Sequence, residues 1–149
     1  MGPEKVRAVI TLAAGGKVPI PEPARKALIG CFDTALTPEQ HLDNVRYGFF
    51  ADGTDATVWR TGWHPAVARL QTQATQATPL DQWWGGGRAP MLVIQALQDT
   101  IALPENGRAL KAEFGTRITL VDIDRAGHAL LPEQPAAVSS AVLEFLRSH

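Results

Sequence analysis

Residues 90–99, PMLVIQALQD, and residues 117–128, RITLVDIDRAGH, decide how this sequence folds. Each opens with a short apolar run, Met91 to Ala96 in one and Arg117 to Ile123 in the other. Each then ends in a loop that carries an ionisable side chain, Asp99 or His128. Runs this apolar predict strands covered on both faces, the pattern of a parallel sheet with helices packed on each side. A helix is predicted after each. The first has Pro104 where a first helical residue can be proline, Leu110 and Phe114 on one face, and Gly115 at its end. The second opens at Pro135 and repeats Val138, Val142, Phe145 and Leu146 as a core-facing stripe. Residues 88–149 therefore read as strand, helix, strand, helix, an α/β core.

Working toward the N-terminus, Lys5 to Ala13 (KVRAVITLA) is a third strand candidate, and the stretch of about 20–86 between it and Met91 has a different pattern. Thr37-Pro38-Glu39-Gln40 is a capping box with proline at the first helical position, followed by Leu42, Val45 and Phe49 on one face. Trp63, Val67, Leu70, Ala74 and Ala77 recur at spacings of 4, 3, 4 and 3, which predicts a second amphipathic helix. Thr78-Pro79-Leu80-Asp81 predicts the start of a third, ended by Gly85-Gly86-Gly87. A helical insert between two strands of one sheet sits over the sheet's end, as a lid.

Composition bounds the function. The 149 residues carry 14 Lys and Arg against 15 Asp and Glu, a net charge of -1, which gives no electrostatic reason to expect nucleic acid or an anionic membrane as partner. A hydrophobic content of 45% is enough for a real core. One cysteine, Cys31, cannot close an internal disulfide and fits a cytoplasmic location. Four scattered histidines offer no metal-ligand spacing, so neither a metal nor another cofactor is expected.

In parallel sheets, ligands bind beyond the carboxyl ends of the strands. After the first strand comes Ala14-Gly15-Gly16-Lys17, without the phosphate-loop spacing and with prolines rather than a helix start behind it. After the other two come Gln98-Asp99-Thr100 and Ala126-Gly127-His128. Strands ~4.8 Å apart can bring that carboxylate and imidazole together. A carboxylate accepting from one ring nitrogen fixes the tautomer a general base requires. Gly127 is expected to give the backbone freedom that turns His128 toward the rim. A turn-forming Asp99 and a surface His128 are the plain alternatives; the pairing, in this order and at two strand ends, favours the functional one.

PMLVIQALQDTIALPENGRAL and DRAGHALLPEQPAAVSSAVLEFL resemble the C-terminal part of the α/β-hydrolase superfamily. PEKVRAVITLAAGG resembles the strand after that family's nucleophile-bearing helix, and the helical insert resembles its cap. The fold the resemblance implies is α/β, a partial parallel sheet with a helical cap insert. It also implies Asp99 and His128 as acid and base of a nucleophile-Asp-His triad acting on ester, amide or related bonds in small, partly apolar substrates. The family places its G-x-S-x-G nucleophile elbow and oxyanion donors upstream of Lys5. The only serines here are Ser139, Ser140 and Ser148, which the final helix explains, and Cys31 lacks the elbow's glycines. The expectation is negligible hydrolase activity from these residues alone. The competing expectation is a non-catalytic binding or assembly module, self-associating through the exposed edge of its first strand. A nucleotide-binding α/β domain ranks below both, because the glycine-rich turns are missing. The cap tryptophans Trp63, Trp59 and Trp84 are candidates to line the substrate pocket; their other reading is to hold the cap to the sheet.

Overall fold

The computed structural model of the chain describes residues 6–149. Three parallel strands, β1 (Val9–Leu12), β2 (Met91–Ala96) and β3 (Ile118–Ile123), form one sheet in the order β1-β2-β3. Met91 is in register with Val9 on one side and Ile118 on the other. The predicted first strand begins at Lys5, outside the described residues. All six residues of β2 are buried, as their unbroken apolarity requires, whereas β1 and β3 are only partly covered.

Alternation along β2 divides the core. Leu92, Ile94 and Ala96 pack with Ile123 against Val138 and Phe145 of the last helix, α6 (Pro135–Ser148). Met91 and Val93 point the other way, onto Leu110 of α4 (Glu105–Phe114), with Ile118 and Trp84. Burial of side chains this size contributes roughly 1.5–3 kcal/mol each. Both helices lie where proline and glycine signals put them.

Between β1 and β2 run α1 (Glu22–Gly30), α2 (Pro38–Phe49) and α3 (Pro65–Ala77). The capping box forms: Thr37 Oγ1 accepts from Gln40 N–H, and the Gln40 side chain accepts from Thr37 N–H. Leu42, Val45 and Phe49 face Ala24, Cys31, Ile101 and Ala129, so the cap packs onto the loops that follow β2 and β3. Two expectations for this segment need correction. The helix from Pro65 forms, but its apolar stripe meets no partner: α3 has no buried residue, and Val67 and Leu70 are 51% and 65% exposed. The third helix shrinks to one 3₁₀ turn, Leu80–Gln82, which ends at Trp83, ahead of the positive-φ glycines Gly86 and Gly87. Arg117 holds that loop by donating to the carbonyls of Gly85 and Ala89. No helix among the described residues is long and apolar enough to cross a membrane.

Candidate active site

Asp99 and His128 stand in the loops after β2 and β3, with His128 Nδ1 2.9 Å from Asp99 Oδ2. Asp99 begins a turn in which its Oδ1 accepts from the N–H groups of Ile101 and Ala102, both at 2.8 Å. One oxygen thus anchors the carboxylate to its own loop and the other is left for the imidazole. The Asp99 side chain is fully buried, while that of His128 keeps 26% of its surface. Among the described residues, His128 Nε2 has no hydrogen-bond partner. A ring that donates through Nδ1 carries its lone pair on Nε2, and His128 lines a cavity.

The cavity holds about 230 Å³ and is lined by Leu12, Ala13, Phe49, Trp59, His128 and the segment from Ala129 to Pro132. Its wall is almost wholly apolar. The Phe49 ring meets the His128 ring edge to face at 5.4 Å and is backed by Trp59 at 5.6 Å and Trp63 at 5.0 Å. Ala13 holds φ at 46°, a conformation costing about 1–2 kcal/mol for a residue with a Cβ, and its N–H is pinned to the Ile94 carbonyl at 2.9 Å. Strain of that kind concentrates at functional sites.

The three cap tryptophans part company. Trp59 lines the cavity. Trp63 stands one ring behind it, donating its indole N–H to the Trp59 carbonyl at 2.7 Å and packing on Phe32 and Phe49. Trp84 is on the opposite side of the sheet, buried against Met91, Val93, Leu110 and Ile118, and donates to Glu113. It also fills the space over Gly16, where a Cβ would fall 2.0 Å from its ring, which explains that glycine without any ligand. His64 precedes α3 with no side-chain cap, and His41 Nε2 contacts the Cys31 carbonyl at 3.1 Å. Among the described residues there is no cluster of three or more metal-ligating side chains.

Gly127 is required for space rather than for backbone freedom. It is absent from the residues with positive φ; the residue with left-handed backbone in this loop is Arg125, at φ 52°. A Cβ on Gly127 would sit 2.8 Å from the Phe49 carbonyl oxygen and 2.9 Å from Ala51 N. Ala129 N–H also donates to the Phe49 carbonyl, at 2.8 Å. The His128 loop is therefore built against the backbone at the end of α2. Sequence reasoning missed Phe49 as part of the site, since its helical spacing marked it only as core. It also missed the short helix α5 (Leu130–Glu133), whose first residues wall the cavity.

A family model described as TAP-like protein matches residues 56–149. Among solved structures, the candidate non-heme bromoperoxidase BpoC from Mycobacterium tuberculosis H37Rv is 25% identical with a TM-score of 0.75, covering 98% of this chain and 59% of that one. Rv0554 from Mycobacterium tuberculosis matches at 23% identity and TM-score 0.74, covering 98% and 58%. The carboxylesterase CesB (YbfK) from Bacillus subtilis matches at 18% and 0.65, covering 99% and 53%. The chain thus spans somewhat more than half the length of each of these structures. None of the curated proteins matches it.

Proposed function

This chain belongs to the TAP-like protein family, within the α/β-hydrolases, and on that premise we propose that it supplies the acid and base of a nucleophile-Asp-His hydrolase. The observation that carries this reading is the 2.9 Å contact between His128 Nδ1 and a fully buried Asp99, with His128 lining an apolar cavity and its Nε2 unpartnered among the described residues. In the proposed reaction, His128 Nε2 takes the proton of a nucleophilic hydroxyl as that oxygen attacks the carbonyl carbon of an ester or amide. Nε2 then returns the proton to the leaving group, and Asp99 orients the ring and stabilises its protonated form throughout. The nucleophile and the oxyanion donors come from outside these 149 residues, whose three serines lie on α6. The substrate is a small molecule with an apolar acyl or alkyl part, which the cavity beside Trp59 and Phe49 accepts; nucleic acid and membrane are not partners in this reading. The protein works in the cytoplasm.

The free edge of β1, which pairs only with β2 among the described residues, is where a further strand joins the sheet. Where none is supplied, the same edge promotes self-association, the property expected of a non-catalytic assembly module. The test is to isolate the protein from its source cells, weigh it against 16.1 kDa, and assay it on p-nitrophenyl esters beside the chain of residues 1–149. We expect hydrolysis only where a nucleophile-bearing segment is present. There, His128→Ala should cost on the order of 10⁴-fold or more in kcat. Hydrolysis that His128→Ala leaves intact would overturn the reading.

A further inference from the structure

Glu133 ends α5 and lies in none of the salt bridges of the described residues. Instead both its oxygens are spent on the polypeptide around the candidate base. Oε2 accepts from Gly127 N–H at 2.7 Å, and Oε1 accepts from Ala51 N–H at 2.7 Å. The Thr54 hydroxyl stands 2.8 Å from the same Oε1 and 2.8 Å from the Ala51 carbonyl, so its single proton serves one of them at a time. One carboxylate thus joins the residue before His128 to the cap segment after α2. These are distances of charge-assisted hydrogen bonds, roughly twice as strong as neutral ones.

We propose that Glu133 is a positioning residue for His128: it clamps the Gly127-His128 backbone to the cap at Ala51 and Thr54, and so sets where the imidazole stands against Asp99. The proposal rests on the reading of Asp99 and His128 as an acid-base pair. Asp99 fixes only the Nδ1 edge of the ring. Ring position depends equally on the backbone from which it hangs, and that backbone is held by Gly127 N–H to Glu133 and by Ala129 N–H to Phe49. The same clamp carries the cavity wall, because Leu130, Leu131 and Pro132 lie between His128 and Glu133. Glutamine cannot replace it. With one carbonyl oxygen and one amide group, it must turn N–H toward either the Gly127 or the Ala51 N–H.

The test follows the Nδ1 proton of His128 by NMR in the chain of residues 1–149, with each variant measured well below its melting temperature. The wild type should show a downfield, slowly exchanging Nδ1–H that Asp99→Asn abolishes. Glu133→Ala and Glu133→Gln should move or lose that signal in the folded state and speed amide exchange at Gly127 by about tenfold or more. Thr37→Ala, which loosens α2 away from the site, should leave it in place. Glu133→Gln, which preserves shape, decides the matter if Glu133→Ala does not fold. Folded Glu133 variants that keep the wild-type signal and lose only thermal stability would reduce Glu133 to a structural staple and overturn the proposal. A wild type without the signal, unaffected by Asp99→Asn, would overturn the acid-base reading and this inference with it.

Discussion

Gly127 and Phe49 are in contact through backbone alone: a Cβ at residue 127 would lie 2.8 Å from the Phe49 carbonyl oxygen, and Phe50 C and Ala51 N are each 2.9 Å away. Neither partner is the far end of a flexible side chain, so neither can swing aside. Gly127→Ala should therefore destabilise the fold by about 1–3 kcal/mol and push the His128 loop away from the cap. Gly15→Ala is the comparison, since the nearest atom to its Cβ is Ala102 Cβ at 4.0 Å; its cost should stay within about 0.5 kcal/mol. Denaturant midpoints of the two variants check this, and equal midpoints would refute it.

Thr37 contributes to α2 through a reciprocal cap on the solvent side of the cap region. Thr37→Ala should cost about 1 kcal/mol in urea unfolding. Thr37→Asp, which keeps an acceptor for the Gln40 N–H, should recover most of it. An alanine variant as stable as the wild type would show that α2 is held by its buried face alone.

Burial pushes the Cys31 thiol up to about 12, from an ordinary value near 9.0. Because the thiolate is the reactive form, native Cys31 should react with a disulfide reagent at pH 8 about a thousandfold more slowly than an exposed thiol. Labelling should then follow unfolding. The sign for stability is that of a raised folded value: the contribution is complete below pH 9 and disappears as pH rises toward 12. Rapid stoichiometric labelling of the native chain would contradict the burial.

Glu113 lies on the other side of the sheet from His128. Its carboxylate is held below the ordinary range chiefly by the hydrogen bond from Lys17, and next by the Trp84 indole N–H. A lowered folded value means that the contribution is present above the ordinary carboxylate range and lost as pH falls through the folded value. Glu113→Gln should therefore flatten the melting temperature against pH below 4.5 and change little at pH 7. An acid limb identical to the wild type would show that other carboxylates produce it.

Much of this was legible along the chain because its causes are local. The apolar run of β2, the Gly115 stop of α4 and the Pro135 start of α6 each depend on residues a few positions apart. The capping box of α2 is equally local. Asp99 and His128 were legible as candidates for a related reason: parallel strands put the loops after β2 and β3 at one end of the sheet, whatever the side chains between them. The same local logic erred where a helix met no partner. The stripe of Val67 and Leu70 has helical spacing, yet α3 buries nothing. It erred again for Trp84, which sits near Trp59 in the cap sequence but crosses to the far face of the sheet.

The sequence by itself determined the apolar strands, the cap of α2 and the order in which Asp99 and His128 follow β2 and β3. Those features rest on periodicity, φ restriction and capping, which act within a turn or two of chain. Tertiary structure alone decided that Glu133 reaches Ala51, 82 positions away, that Gly127 must be small because Phe49 lies against it, and that Phe49 rather than Trp84 faces His128. Such contacts depend on how the cap settles over the sheet, and packing between distant segments leaves no period in the sequence to read.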